Sequence, residues 1–122
     1  MPKDAGYMNI FHLHIYYEAE TSDFAGHLRL DVLENLDVVD CSPLISKNVG
    51  PHTSSMFEVS VTDTKLEKVV GWLERNRNGL SVLIHPVQKD EYEAHTVKAK
   101  WLGRPLPINL DRLESNADVQ VL

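Results

Sequence analysis

The sequence predicts an α+β fold: one layer of antiparallel strands with two helices packed on the same side. Three observations carry the prediction. The stretches Ile10 to Tyr17 and Ser55 to Val61 alternate in character with period two, as strands with two different faces do. Each is followed by a cluster of helix-capping residues and then by apolar positions at helical spacing. A short apolar run, Leu80 to His85, starts after Gly79 and stops at Pro86.

Along Ile10 to Tyr17, Phe11, Leu13, Ile15 and Tyr17 share one face; Ile10, His12, His14 and Tyr16 share the other. Thr21, Ser22 and Asp23 are candidate N-caps for a helix from Phe24 to about Asn35, with Phe24, Leu28, Leu30, Val32 and Leu33 as its apolar positions. Val38 to Val49 is expected to hold a second strand, bent or interrupted at Pro43. Gly50-Pro51-His52 reads as a turn. In the third strand Phe57, Val59 and Val61 face one way, and Met56, Glu58 and Ser60 the other. Thr62, Asp63 and Thr64 offer a second N-cap, before a helix with Leu66, Val69, Val70 and Leu73 on its stripe and Gly79 as its left-handed cap. After Leu80 to His85 the pattern weakens. Thr96 to Trp101 is expected as a short fifth strand, and residues past Pro107 as a peripheral helix or tail.

The resulting order, β-α-β-β-α-β with a C-terminal extension, is the ferredoxin-like split βαβ arrangement. Both helices are expected on one sheet face, with the opposite face open and available to a second subunit, giving a homodimer. Strands one and three are expected in the centre, parallel to each other, with strand four antiparallel beside strand one.

The chain has 122 residues and reads as a single domain, 1–122. A net charge of −6 argues against a nucleic-acid partner, which calls for a basic surface. No apolar run is long enough to span a bilayer, and the first residues lack the apolar stretch of a secretory leader, so a cytoplasmic location is expected. The single cysteine, Cys41, fits a reducing compartment; a half-buried thiol is its plainer reading, and a nucleophile the sharper one.

Five of the six histidines, His12, His14, His52, His85 and His95, fall at or near strands; His27 falls in the first helix and reads as solvated. His12 and His14 are an i, i+2 pair, on one face and roughly 6.6 Å apart. Two imidazoles on a largely apolar strand need a partner if buried, and a divalent metal or an ionisable substrate would serve. Strand four beside strand one brings His85 toward His12, and the face assignments add Glu58. A pocket lined by His12, His14, Glu58 and His85 is therefore expected, unless one strand slips by a residue. Imidazole plus carboxylate is the ligand mix of non-haem iron or zinc. Hydrogen-bonded structural histidines are the alternative for each ring taken singly, and a salt bridge explains Glu58 as well.

FHLHIYYE, NVGPHTSSMFEV, WLERNRNGLSVLIHP and AHTVKAKWLG together resemble the DOPA 4,5-dioxygenase family, in its short single-domain form, from about Phe11 to Gly103. The resemblance implies opening of a catechol ring beside its hydroxyl pair, with dioxygen and non-haem Fe(II), zinc being able to occupy the site in a purified sample. It places His12, His14, His52, His85 and His95 on the family's histidine positions and Glu58 in its MFEV block. On that basis His14, His85 and Glu58 are expected as metal ligands, with His12 as alternate. His52 and His95 are expected as acid/base or supporting residues, and Tyr16 as a substrate hydrogen-bonding group. Trp101 reads as packing, and Arg29 and Arg104 as surface charges. Two other classes compete: a metal- or small-molecule-binding module of the same fold without oxygen chemistry, and a metal-free dimeric α/β protein.

Overall fold

The computed structural model describes residues 9–46 and 52–113. Among them the elements run β1 (Ile10–Tyr17), α1 (Ser22–Asn35), β2 (Asp40–Cys41), β3 (Ser55–Thr62), α2 (Asp63–Asn76), β4 (Val82–Pro86), α3 (Glu91–Ala94) and β5 (Lys100–Leu102). The strands form one sheet in the order β2-β3-β1-β4-β5, every pairing antiparallel. This is the ferredoxin-like α+β arrangement with β5 added at one edge.

The faces of β1, β3 and β4 are those the alternation predicts. Leu13, Ile15, Phe57, Val59, Val61, Val82 and Ile84 form the core with Ala25, Leu28 and Val32 of α1 and Val69 and Leu73 of α2. Leu30 and Leu33, expected on the α1 stripe, are exposed at 57% and 47%. Ala25, Leu28 and Val32 follow the helical three-four spacing and take the buried stripe, which leaves Leu30 on the far side. Thr62 is the N-cap of α2, and Gly79 takes the left-handed turn beyond it with φ 89°.

One expectation is overturned. Strands β1 and β3 are antiparallel, with Ile10 opposite Thr62 and Tyr17 opposite Ser55. The α1 crossover returns the chain parallel to β1, and the β2-to-β3 connection then reverses it. The start of β3 therefore lies beside the end of β1, which puts His52 near Tyr16. The histidines meet across the sheet surface.

The second strand is short: two residues pair with β3, Pro43 interrupts, and Ile45 makes an isolated bridge to Met56. The rest of that expected strand, 47–49, lies outside the described residues. The one-turn helix α3 was not expected; Asp90 caps it by accepting a hydrogen bond from the Glu93 amide at 2.9 Å. The fifth strand begins four residues later than the expected Thr96. Past Pro107 the described chain holds a 3-10 turn, Leu110–Arg112, and the remainder of the expected tail lies outside the described residues.

The sheet face away from α1 and α2 is covered in part by the chain itself. Tyr16, Met56 and Leu83 are buried there under Ile45, Ala99, Trp101, Leu106 and Ile108.

Candidate metal centre

Strand pairing assembles the site. On the face away from α1 and α2, His12 of β1 lies opposite His85 of β4, and His14 lies opposite Glu58 of β3. His52, ahead of β3, is anchored by an isolated bridge to Ile108. His95 is the C-cap of α3. His14, His52, His85 and His95 are 3–8% exposed. All five rings, with Met56, Glu58, Gln88 and Glu91, line one cavity of about 220 Å³.

Hydrogen bonds fix where the ring protons sit. His85 Nδ1 is 2.9 Å from the Pro86 carbonyl and His95 Nδ1 is 2.8 Å from the Glu91 carbonyl. A carbonyl only accepts, so each Nδ1 carries the proton, and in the neutral ring Nε2 is bare. His12 Nδ1 is 2.9 Å from Glu58 Oε2, and an ionised carboxylate imposes the same tautomer. Tyr16 Oη lies 2.6 Å from His52 Nδ1, and the hydroxyl serves either as donor or as acceptor.

His14 has a conflict. Its Nε2 is 2.9 Å from the bare Nε2 of His85, and its Nδ1 is 3.2 Å from Met56 Sδ. Both neighbours accept a proton, and a neutral imidazole has one to give. A second proton is disfavoured: burial first, then the charges of His52 and His85, hold His14 well below its ordinary value. A cation held by His14 and His85 would remove the conflict, because the single His14 proton would then be free to go to Met56.

Other shifts agree. Burial, with the charge of His95 second, lowers His52 and His85 to about 4, so both are neutral at physiological pH. The hydrogen bond from His12 leads the causes that lower Glu58 and keep it ionised. Burial raises the Tyr16 hydroxyl, which stays protonated.

Two sets of three donors lie within 4.8 Å of one another: His12, His14 and His85, and His14, His52 and His95. A divalent ion with imidazole ligands at about 2.0–2.1 Å needs donors at this spacing. The first set has the better supports, since two of its three rings already have Nε2 bare.

The structure thus brings His12, His14, His52, Glu58, His85 and His95 together around one cavity and leaves Tyr16 outside its lining. Glu58 enters as the group that orients His12, and its carboxylate belongs to neither donor set. Tyr16 does not line the cavity; it meets His52 and stacks on Trp101 with centroids 5.8 Å apart. Arg29 donates to the Ser42 carbonyl at 2.6 Å, and neither it nor Arg104 lines the cavity. Burial raises the half-buried Cys41 thiol, as for a packing residue. His27 is exposed. Sequence reasoning missed Met56, Gln88 and Glu91. The signal for Met56 was its position two residues from Glu58 on the same strand face.

Comparisons with known proteins point the same way. A candidate dioxygenase of Nostoc punctiforme, known from its crystal structure, superposes with a TM-score of 0.80 at 34% identity, over 85% of this chain and 90% of that one. An uncharacterized 21.2 kDa protein of Botryotinia fuckeliana is 32% identical over 120 residues, 89% of this chain and 66% of that protein. The DOPA 4,5-dioxygenase of Amanita muscaria is 30% identical over 121 residues, 88% of this chain and 51% of that enzyme. The chain therefore spans 66% and 51% of the length of these two curated relatives. With the family model matching residues 11–112, a span that contains all five cavity histidines, this chain belongs to the Dopa 4,5-dioxygenase family.

Proposed function

We propose that this chain opens the ring of a DOPA-like catechol beside its two hydroxyls, using dioxygen and a non-haem ferrous ion held by His12, His14 and His85. The observation that carries this reading is the His14 conflict: a buried ring with one proton and two acceptors, which a cation held by His14 and His85 would resolve. Bound there, such an ion would hold catecholate and dioxygen side by side and stabilise developing charge.

The chain's own residues do the rest. Glu58, the Pro86 carbonyl and Met56 fix the tautomers of His12, His85 and His14. His95, with its Nδ1 proton held by Glu91, presents a bare Nε2 that accepts a catechol proton. His52 takes or gives a proton at Nε2, because the Tyr16 hydroxyl matches either tautomer at Nδ1. His14, His52, His85 and His95 are buried, which limits water around these four rings. A homodimer and a cytoplasmic location complete the reading. Sedimentation equilibrium tests the first and localisation of a tagged chain the second. No helix among the described residues is long and apolar enough to cross a membrane.

The test is anaerobic loading with ferrous ion, addition of DOPA, caffeate or catechol, and then admission of dioxygen. A yellow ring-opened product with one dioxygen consumed per catechol is expected. Ion uptake without colour or oxygen uptake for any catechol would reduce the chain to a binding module. Absence of ion uptake by the wild-type chain would overturn the metal centre itself. His14→Ala should abolish uptake while the far-UV circular dichroism is kept.

A further inference from the structure

We propose that Met56 is an oxidation-sensitive brace of the histidine cavity: its thioether receives the His14 Nδ1 proton, and conversion to the sulfoxide by a hydroperoxide displaces His14 and weakens divalent-cation binding. The inference rests on the cation reading of that cavity, not on ring opening.

Four imidazole nitrogens in the cavity have their position set by an acceptor of known type. Three of these acceptors are oxygens: the Pro86 carbonyl, the Glu91 carbonyl and the Glu58 carboxylate. The fourth is the sulfur of Met56, 3.2 Å from His14 Nδ1. Oxygen acceptors are inert to peroxides, whereas a thioether is readily oxidised. The brace on the ring shared by both donor sets is therefore the one that an oxidant can change.

The surroundings explain why the change matters. Met56 is 2% exposed and packs with Tyr16, Leu83, Ile45 and Trp101. Its outer sides are closed, but it lines the cavity, so a hydroperoxide of a few atoms reaches the sulfur from within. In the reaction the sulfur lone pair attacks the terminal peroxide oxygen. The O–O bond breaks, an S–O bond forms, the thioether loses two electrons and hydrogen peroxide is reduced to water. The new oxygen must fit beside a nitrogen that is already 3.2 Å from the sulfur. Close packing on the other sides prevents Met56 from backing away, so His14 moves.

The test uses the full chain, metal-free, treated with hydrogen peroxide in the presence of free methionine as an internal control. Peptide mass mapping, zinc affinity by chelator competition and far-UV circular dichroism are read before and after, for wild type and Met56→Leu. In wild type, one oxygen is expected on the Met56 peptide, with zinc affinity lowered at least tenfold and the fold retained. Met56→Leu, lacking the acceptor, is expected to bind zinc about tenfold more weakly at the outset and to show no further loss of zinc affinity on peroxide treatment. The proposal is overturned if Met56 stays unmodified while free methionine is consumed, or if the sulfoxide leaves zinc affinity unchanged. It is also overturned if Met56→Leu loses affinity on treatment as wild type does, or if oxidation unfolds the chain. If the untreated chain takes up no zinc, the cation reading fails, and the brace is judged on the nitrogen resonances of His14: a shift on oxidation supports it and unmoved resonances sink it.

Discussion

On the helix side of the sheet, Leu13, Ile15, Phe57, Val59, Val61 and Val82 are fully buried, and none of these six side chains has a hydrogen bond to make. On the other side of the same strands, His14, Tyr16, Met56 and His85 are almost as dry at 2–5% exposure, yet three of the four bear groups that must be satisfied. Equal burial thus has two meanings. The first face draws its stability from area removed from water. The second trades part of that for a set of nitrogens held in place by specific acceptors.

Phe57→Ala should separate the faces most strongly. It empties the centre of the apolar layer and should reduce stability by about 3–5 kcal/mol, read by urea denaturation, while zinc stoichiometry measured on the remaining folded protein stays that of wild type. A loss of the ion at full stability would show that the two layers are not independent.

Acid should act on the histidine face. His52 and His85 are lowered to about 4 from an ordinary 6.5, so between those values the unfolded chain binds protons that the folded chain refuses. The stability they contribute is fully present above pH 6.5 and is lost as the pH falls toward 4. Unfolding free energies from denaturant titrations at both ends of that window should differ by on the order of 2 kcal/mol or more. A midpoint independent of pH would mean the rings are not dry.

Two smaller changes sharpen the second face. Glu58→Ala removes the carboxylate that orients His12 and should weaken zinc binding about 10- to 100-fold, measured by chelator competition; an unchanged affinity would remove His12 from the ligand set. Tyr16→Phe deletes only the bond to His52, with an expected loss of about 1 kcal/mol. It should move the pH profile of turnover while leaving zinc affinity alone. Lowered zinc affinity in Tyr16→Phe would favour the second donor set, which contains His52.

Side-chain alternation made both faces legible in the sequence, because a strand of period two states its faces residue by residue. His12, His14, Glu58 and His85 were placed on one surface for that reason, before any pairing was known. The direction of β4 beside β1 was also legible, but that of β3 was not. The reversal of β3 depends on how the chain turns between Cys41 and Ser55, where Pro43 and a two-residue strand leave no periodic signal. The α3 segment was also hidden, since four helical residues are too few to show a period. The bond between Met56 and His14 was not readable either. The two residues are not register partners, and their contact depends on a long side chain leaning along its strand.

His12 and His14 of β1 and His85 of β4 are woven into two paired strands, whereas His52 hangs on an isolated bridge and His95 on a single helical turn. Such peripheral pieces open at lower free energy than the middle of a sheet. On warming, the assembly is therefore expected to come apart from its rim: the two outer rings swing free first, and the inner three stay together until the strands themselves separate.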